Sequence, residues 1–210
     1  MNIYPIQFPS ILSNLSSLVI FKKEVLPNTI YLTFDDGPTP GITPWVLAEL
    51  EKFKAQATFF CLGRNIKKYP GIFKDIIQNN HSIGNHTFFH LDGWRTKTKI
   101  YVEEVERTEN LIGQFTRSRK IFRPPYGHIT PVQIKRLKDK DYKVILWTSI
   151  SGDFSENLDV EKVIWALSYH TKPGHIIVFH DSKKAEKNLK AILPELLKNW
   201  RSKGYEFGLL

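Results

Sequence analysis

The hydrophobic pattern of the chain switches repeatedly between short apolar runs and longer amphipathic stripes. Residues 30–34 are apolar and β-branched and stop at Asp35-Asp36-Gly37-Pro38, so a strand delivers two adjacent carboxylates to a turn. Thr43 with Pro44 behind it predicts a helix N-cap and first turn, and Trp45, Leu47, Ala48, Leu50 and Glu51 carry that helix toward Lys54. Residues 57–62 read as a buried strand, 72–78 as a helix and 81–84 as a short strand, followed by a loop over 85–94. Tyr101, Val105, Thr108, Ile112 and Phe115 fall at steps of four, three, four and three, which places them on one helical stripe with Glu103, Glu104, Glu106 and Arg107 outside it. A strand near Ile121, a helix over 130–139, a strand over 143–147, a helix over 159–168, a strand over 175–179, a helix over 185–200 and a last strand over 205–207 complete the pattern. No internal repeat interrupts it.

Strands alternating with helices predict a mainly parallel sheet with helices packed on it, either open or closed into a barrel. In such folds chemistry gathers where the strands end. The polar clusters lie in those places: Asp35-Asp36, then His86 and His90, then residues 123–127, then Asp153, then His180.

With 41% hydrophobic residues, 210 residues are enough for one sizeable core and short for two, which predicts a single domain. No run approaches the roughly 18 apolar residues of a membrane-spanning helix, because the best candidate, 11–21, is broken by Ser13, Asn14, Ser16 and Ser17. The first 21 residues carry no Lys or Arg and no small-residue cleavage site follows, so a cleaved secretory signal is not expected. That leaves the compartment open: cytoplasmic by default, with association to the cell envelope as the other reading. Cys61 is the only cysteine, which excludes an internal disulfide and assigns any metal chemistry to His and carboxylate ligands. A formal charge of +9 favours anionic partners such as nucleic acid, anionic lipid or an anionic envelope polymer, whereas Lys135, Arg136, Lys138 and Lys140, like Lys183, Lys184, Lys187 and Lys190, follow helical spacing and read as solvated faces. Oligomeric state is not legible.

His86-Thr87-Phe88-Phe89-His90 spaces two imidazoles so that both can reach one ion, in a helical turn or a tight loop. Thr87 stands where a zincin has its Glu base, so the base must come from elsewhere. The adjacent carboxylates can supply what is missing: Asp36 completes a two-His, one-carboxylate ligand set and Asp35 stays free to take a proton from water. Each piece also has a plain reading, as a turn closing a strand or as a pair of hydrogen-bonded loop histidines.

Thr33-Phe34-Asp35-Asp36-Gly37-Pro38, His86-Thr87-Phe88-Phe89-His90 and Arg123-Pro124-Pro125-Tyr126-Gly127 resemble, in order, the first three motifs of the polysaccharide deacetylase family, carbohydrate esterase family four. The resemblance runs from about residue 30 to 210 and leaves residues 1–29 as an N-terminal extension expected to pack on the domain. It implies a distorted (β/α) barrel of seven strands holding one divalent metal ion, commonly zinc, with cobalt, nickel or manganese as alternatives. It further implies Asp35 as catalytic base, Asp36, His86 and His90 as metal ligands, Arg123 as the partner orienting the base, and the Tyr126 backbone N–H as an oxyanion donor. His180-Asp181 resembles the fifth motif, whose His is the general acid, and Asp153 matches the carboxylate that charges it. Residues 147–154 depart from the fourth motif, with Ile150 at a usual acidic position and Phe154 at a usual Trp, so this pocket wall is expected to differ.

The activity expected from the resemblance is removal of an N-acetyl group from an N-acetylglucosamine-type sugar or polysaccharide with release of acetate. A deformylase or amidohydrolase acting on another C–N bond, and a non-catalytic glycan-binding domain, stay open beside it. Phe88, Phe89, Trp94 and Tyr126 are candidate sugar-stacking rings or core residues.

Overall fold

The computed structural model describes residues 19–23 and 26–210. Its centre is β2, Thr29–Asp35, buried along its whole length and paired in parallel with β3, Ala57–Cys61, on one side and β8, Ile176–His180, on the other. Period-two alternation splits this strand between two environments. Ile30, Leu32 and Phe34 join the core under the helices, with Val46, Leu50 and Leu193, whereas Tyr31 clusters with Phe60, Ile121, Ile145 and Ile176 inside the curl of the sheet. Gly84 has a packing reason: a Cβ there would stand 2.4 Å from the Phe60 ring that fills this interior.

Beyond β3 the sheet runs through β4, Ser82–Asn85, and β5, Ile121–Phe122, to β6, Lys143–Ile145, and an edge strand β1, Val19–Ile20; beyond β8 it ends at β7, Ser149–Ile150. A further strand, β9, Glu206–Phe207, pairs with the start of β2. All these pairings are parallel. Only three residues separate β6 from β7, yet β6 bonds to β5 and β7 bonds to β8, so the segment 143–150 bends from one flank of the sheet to the other. Phe21 and Thr148 stitch this closure, the Thr148 hydroxyl donating to the Phe21 carbonyl at 2.8 Å. The (β/α) barrel is therefore present as a curled parallel sheet. Its path counts eight strands among the described residues, since the bend divides one stretch into two.

The helices are α1, Ile42–Lys52; α2, Gly63–Lys68; α3, Pro70–Gln78; α4, Thr98–Ile112; α5, Pro131–Lys138; α6, Val160–His170; and α7, Glu186–Ser202. The α4 stripe is as spaced, except that Phe115 lies past the helix end and packs edge-on against Phe73 at 5.3 Å. Thr130 caps α5 in a reciprocal box with Gln133, and Asp159 caps α6. Thr43 is not an N-cap: α1 begins at Ile42 after Gly41, and the Thr43 hydroxyl donates to the buried Asp181 carboxylate, which needs a donor more than the helix end does. No helix among the described residues is long and apolar enough to cross a membrane. Of the N-terminal segment, residues 1–18, 24 and 25 lie outside the described residues, while Val19 and Ile20 pair with Val144 and Ile145.

Candidate metal centre and catalytic cleft

Parallel register assembles the site. Asp35 at the end of β2 lies opposite His180 at the end of β8, and β4 runs directly into His86. The five clusters picked out along the chain converge here: Asp35, Asp36, His86, His90, Tyr126 and His180 all line one cleft of about 700 Å³. Arg123 and Asp153 lie beneath it, fully buried, each bonded to a residue of the lining.

Asp36 Oδ1 stands 3.3 Å from His90 Nε2 and 3.8 Å from His86 Nε2, and among the described residues these ligand atoms are the group of three that could share an ion, all within 4.8 Å of one another. Two ligands each about 2.0–2.1 Å from a tetrahedral ion sit about 3.4 Å apart, so a small inward adjustment of His86 would complete the set. Asp36 Oδ1 is buried with no hydrogen-bond partner, a costly state for a carboxylate oxygen that a cation would relieve. His86 Nδ1 lies 2.7 Å from the Arg123 carbonyl, which can only accept, so the proton is on Nδ1 and the Nε2 lone pair faces the site. Burial, reinforced by His86, pushes the His90 imidazole down to about 4, leaving it neutral and able to coordinate at neutral pH. Burial pushes Asp36 up, but the imidazoles of His180, His86 and His90 outweigh it and hold the carboxyl below its ordinary value. The donor set fits a divalent cation.

Backbone strain marks the same loops. Asp36, Thr87, His90 and Tyr126 all hold positive φ, between 59° and 81°, where non-glycine residues cost on the order of 1 kcal/mol each. Side chains hold these turns: Asn85 Oδ1 accepts from the Thr87 N–H at 3.0 Å, and its amide donates to the Val105 carbonyl at 2.8 Å.

Arg123 crosses the interior of the curl. Its guanidinium donates to Asp35 Oδ1 at 2.8 Å, to Thr33 Oγ1 at 2.7 Å and to the Leu146 carbonyl at 3.0 Å, tying β5 to β2 and β6. On the other flank Asp153 accepts from His180 twice, from Nδ1 and from the backbone N–H, both at 2.8 Å. Burial pushes His180 down, but Asp153, with Asp36 and Asp35 behind it, more than reverses this and the imidazole rises to about 9, so it is protonated at neutral pH. Asn188 holds the Asp153 loop by donating to the carbonyls of Asp153 and Ser155. Phe154 meets His180 edge-on at 5.1 Å and, with Ile150, forms the altered wall.

Asp181 was not singled out in the sequence beyond its place after His180. It is fully buried, accepts from the Gly37 N–H at 3.0 Å and from Thr43, and so pins the turn that presents Asp36. A Cβ on Gly37 would meet its carboxylate at 2.0 Å, which explains glycine there. Burial pushes Asp181 up to about 7. Of the candidate stacking rings, Phe88 is core, with the Arg107 guanidinium 3.5 Å from its ring centroid, Phe89 is half exposed beside it, Tyr126 is exposed in the cleft, and Trp94 is exposed outside the cleft lining, stacked on His128, which belongs to it.

A parallel barrel whose strand ends carry this set of carboxylates, imidazoles and a buried guanidinium is the architecture of the carbohydrate esterase family four deacetylases. The family's sequence profile, polysaccharide deacetylase, matches residues 22–145, and the chain belongs to that family. It is 31% identical over 180 residues to a peptidoglycan-N-acetylglucosamine deacetylase of Bacillus cereus, covering 85% of this chain and 84% of that protein. Over 159 residues it is 33% identical to a chitooligosaccharide deacetylase of Azorhizobium caulinodans, covering 73% and 74% of the two chains. The crystal structure of a peptidoglycan N-acetylglucosamine deacetylase in complex with a naphthyl-substituted N-hydroxybenzamide superposes at a TM-score of 0.88, with 27% identity and 94% of each chain covered.

Proposed function

We propose that the chain hydrolyses the N-acetyl group of an N-acetylglucosamine-type sugar in a glycan, releasing acetate, with a divalent ion, zinc first, held by Asp36, His86 and His90. The observation that carries this reading is the orphaned, buried Oδ1 of Asp36 facing two imidazole Nε2 atoms, in a cleft also lined by Asp35 and His180. A barrel fold alone supports many chemistries, so the assignment rests on these side chains together with the activities of the relatives. The formal charge of +9 favours a glycan within an anionic envelope polymer.

The ion, when bound, supplies Lewis acidity toward water and the acyl oxygen. The protein's own groups do the rest. Asp35, oriented by Arg123 through one carboxylate oxygen, takes a proton from the attacking water with the other. The negative charge that develops on the former carbonyl oxygen receives the Tyr126 N–H. An amide nitrogen leaves poorly as an anion, so His180, charged by Asp153, donates its Nε2 proton to it as the C–N bond breaks. Acetate and a free amino sugar result.

The test is a panel of peptidoglycan, chitin oligomers and small N-acetyl amino sugars, incubated with and without zinc while acetate, formate and ammonia are measured. Zinc-stimulated acetate release is expected. Formate or ammonia in its place would move the assignment to another C–N bond, and glycan binding that survives chelation without any hydrolysis would make the chain a binding domain.

A further inference from the structure

Trp94 is 65% exposed, yet its surroundings hold it firmly. Its indole stacks on the His128 imidazole with centroids 3.7 Å apart and planes 7° apart. Asp92 stands beside both residues: its Oδ1 accepts the backbone N–H of Trp94 at 2.9 Å, and its Oδ2 lies 3.1 Å from His128 Nδ1. The segment is anchored from below by Gln133, which donates to the Gly93 carbonyl at 2.8 Å. Only glycine fits at 93, because a Cβ there would stand 2.2 Å from the His128 carbonyl. Water exposure of an indole is unfavourable. A ring held in place before its ligand arrives loses little entropy on binding, which is how a binding surface is built.

The stack also continues the cleft. His128 lines it, Tyr126 lies 5.7 Å from His128, and His90 lies 4.6 Å from Tyr126, so a path of rings leads from a candidate metal ligand out to Trp94. Sugar rings present C–H faces that pack on aromatic rings.

We propose that Trp94, backed by His128 and positioned by Asp92, is a sugar-binding subsite outside the reaction centre, taking a pyranose ring of the same chain beyond the unit that is deacetylated. This rests on the glycan-deacetylase reading above and adds that recognition extends past one sugar. Trp94 is here a binding residue and takes no part in bond making.

The experiment compares wild type, Trp94→Ala and Trp94→Phe on N-acetylglucosamine and on chitin oligomers up to the hexamer, with calorimetric binding of the fully deacetylated oligomers as a second readout. For Trp94→Ala the kcat/KM ratio to wild type should be near one on the monosaccharide and fall by roughly 2- to 12-fold on the longer chains, through KM rather than kcat. Trp94→Phe should recover part of the loss, with melting temperatures unchanged. A loss equal at every chain length, or none at any, overturns the subsite. If wild type cleaves no glycan, the deacetylase reading fails, while equal oligomer affinity of wild type and Trp94→Ala separately refutes the subsite.

Discussion

Replacing Asp153 by Asn should move the basic limb of the pH–rate profile. In the wild type the buried Asp153 carboxylate accepts from both the Nδ1–H and the backbone N–H of His180 and holds the imidazole at about 9 against the opposing effect of burial. An Asn side chain can still accept the backbone N–H, but its amide then faces Nδ1 as a donor and favours the neutral ring. With that charge gone, burial pulls the imidazole down against only Asp36 and Asp35, and it falls from about 9 toward its ordinary 6.5. At pH 8 a group of pKa about 9 is about nine-tenths protonated and one of 6.5 about 3%, so a full return to the ordinary value loses roughly 30-fold in active acid. At pH 6 the same shift costs only about a quarter of it. The assay is kcat/KM for acetate release from a chitin oligomer between pH 5 and 10, each enzyme in the same metal state so that the ion's own field cancels. The variant's profile should turn down near neutrality. A basic limb still near 9, or a loss equal at pH 6 and 8, would refute His180 as an acid tuned by Asp153.

Asp35→Asn should retain zinc and lose at least ~100-fold in kcat/KM; because it leaves the buried Arg123 charge unpaired, urea unfolding should also show a loss of about 3–5 kcal/mol, and near-normal turnover would dismiss the assigned base. Asp181 has a folded-state value of about 7 against an ordinary 3.8, so its contribution to stability is full below about 4 and is lost as pH rises through 7. Asp181→Asn escapes that loss, and its urea midpoint relative to wild type should climb between pH 4 and 7.5; a constant difference would contradict a buried, raised carboxyl. Gly37→Ala forces the Asp36 turn away from Asp181, costing about 1–3 kcal/mol in thermal unfolding and weakening zinc binding measured by competition with a chelator; unchanged zinc affinity would show that the turn does not position Asp36.

The central strands were legible because their residues are apolar or β-branched and end in turn signals, as at 30–34 before Asp35. The two-residue strands β1 and β7 were not, since nothing local in Val19–Ile20 or Ser149–Ile150 distinguishes them from loop; they exist because Val144 and Ile177 lie beside them. Helix α2 is six residues long, too short for a periodic stripe, and its start is held by loops of the site, the Gly63 N–H bonding to the Thr87 carbonyl and Arg64 to Phe88. In the site, paired carboxylates and spaced imidazoles were readable from chemistry alone. The parts proposed for Arg123, Tyr126 and Asp153 come only through family resemblance, because a buried Arg crossing a barrel has no local signature. Asp181 depends on the register that sets Asp35 against His180, which is a tertiary fact.

The most direct test is a crystal of the zinc-loaded protein with anomalous data collected on both sides of the zinc edge. One peak should appear about 2.0–2.2 Å from Asp36 Oδ1 and from the Nε2 atoms of His86 and His90, and should vanish in His86→Ala. A zinc-loaded, active enzyme with its peak elsewhere, or with Asp36 turned out of coordination range, would contradict the account.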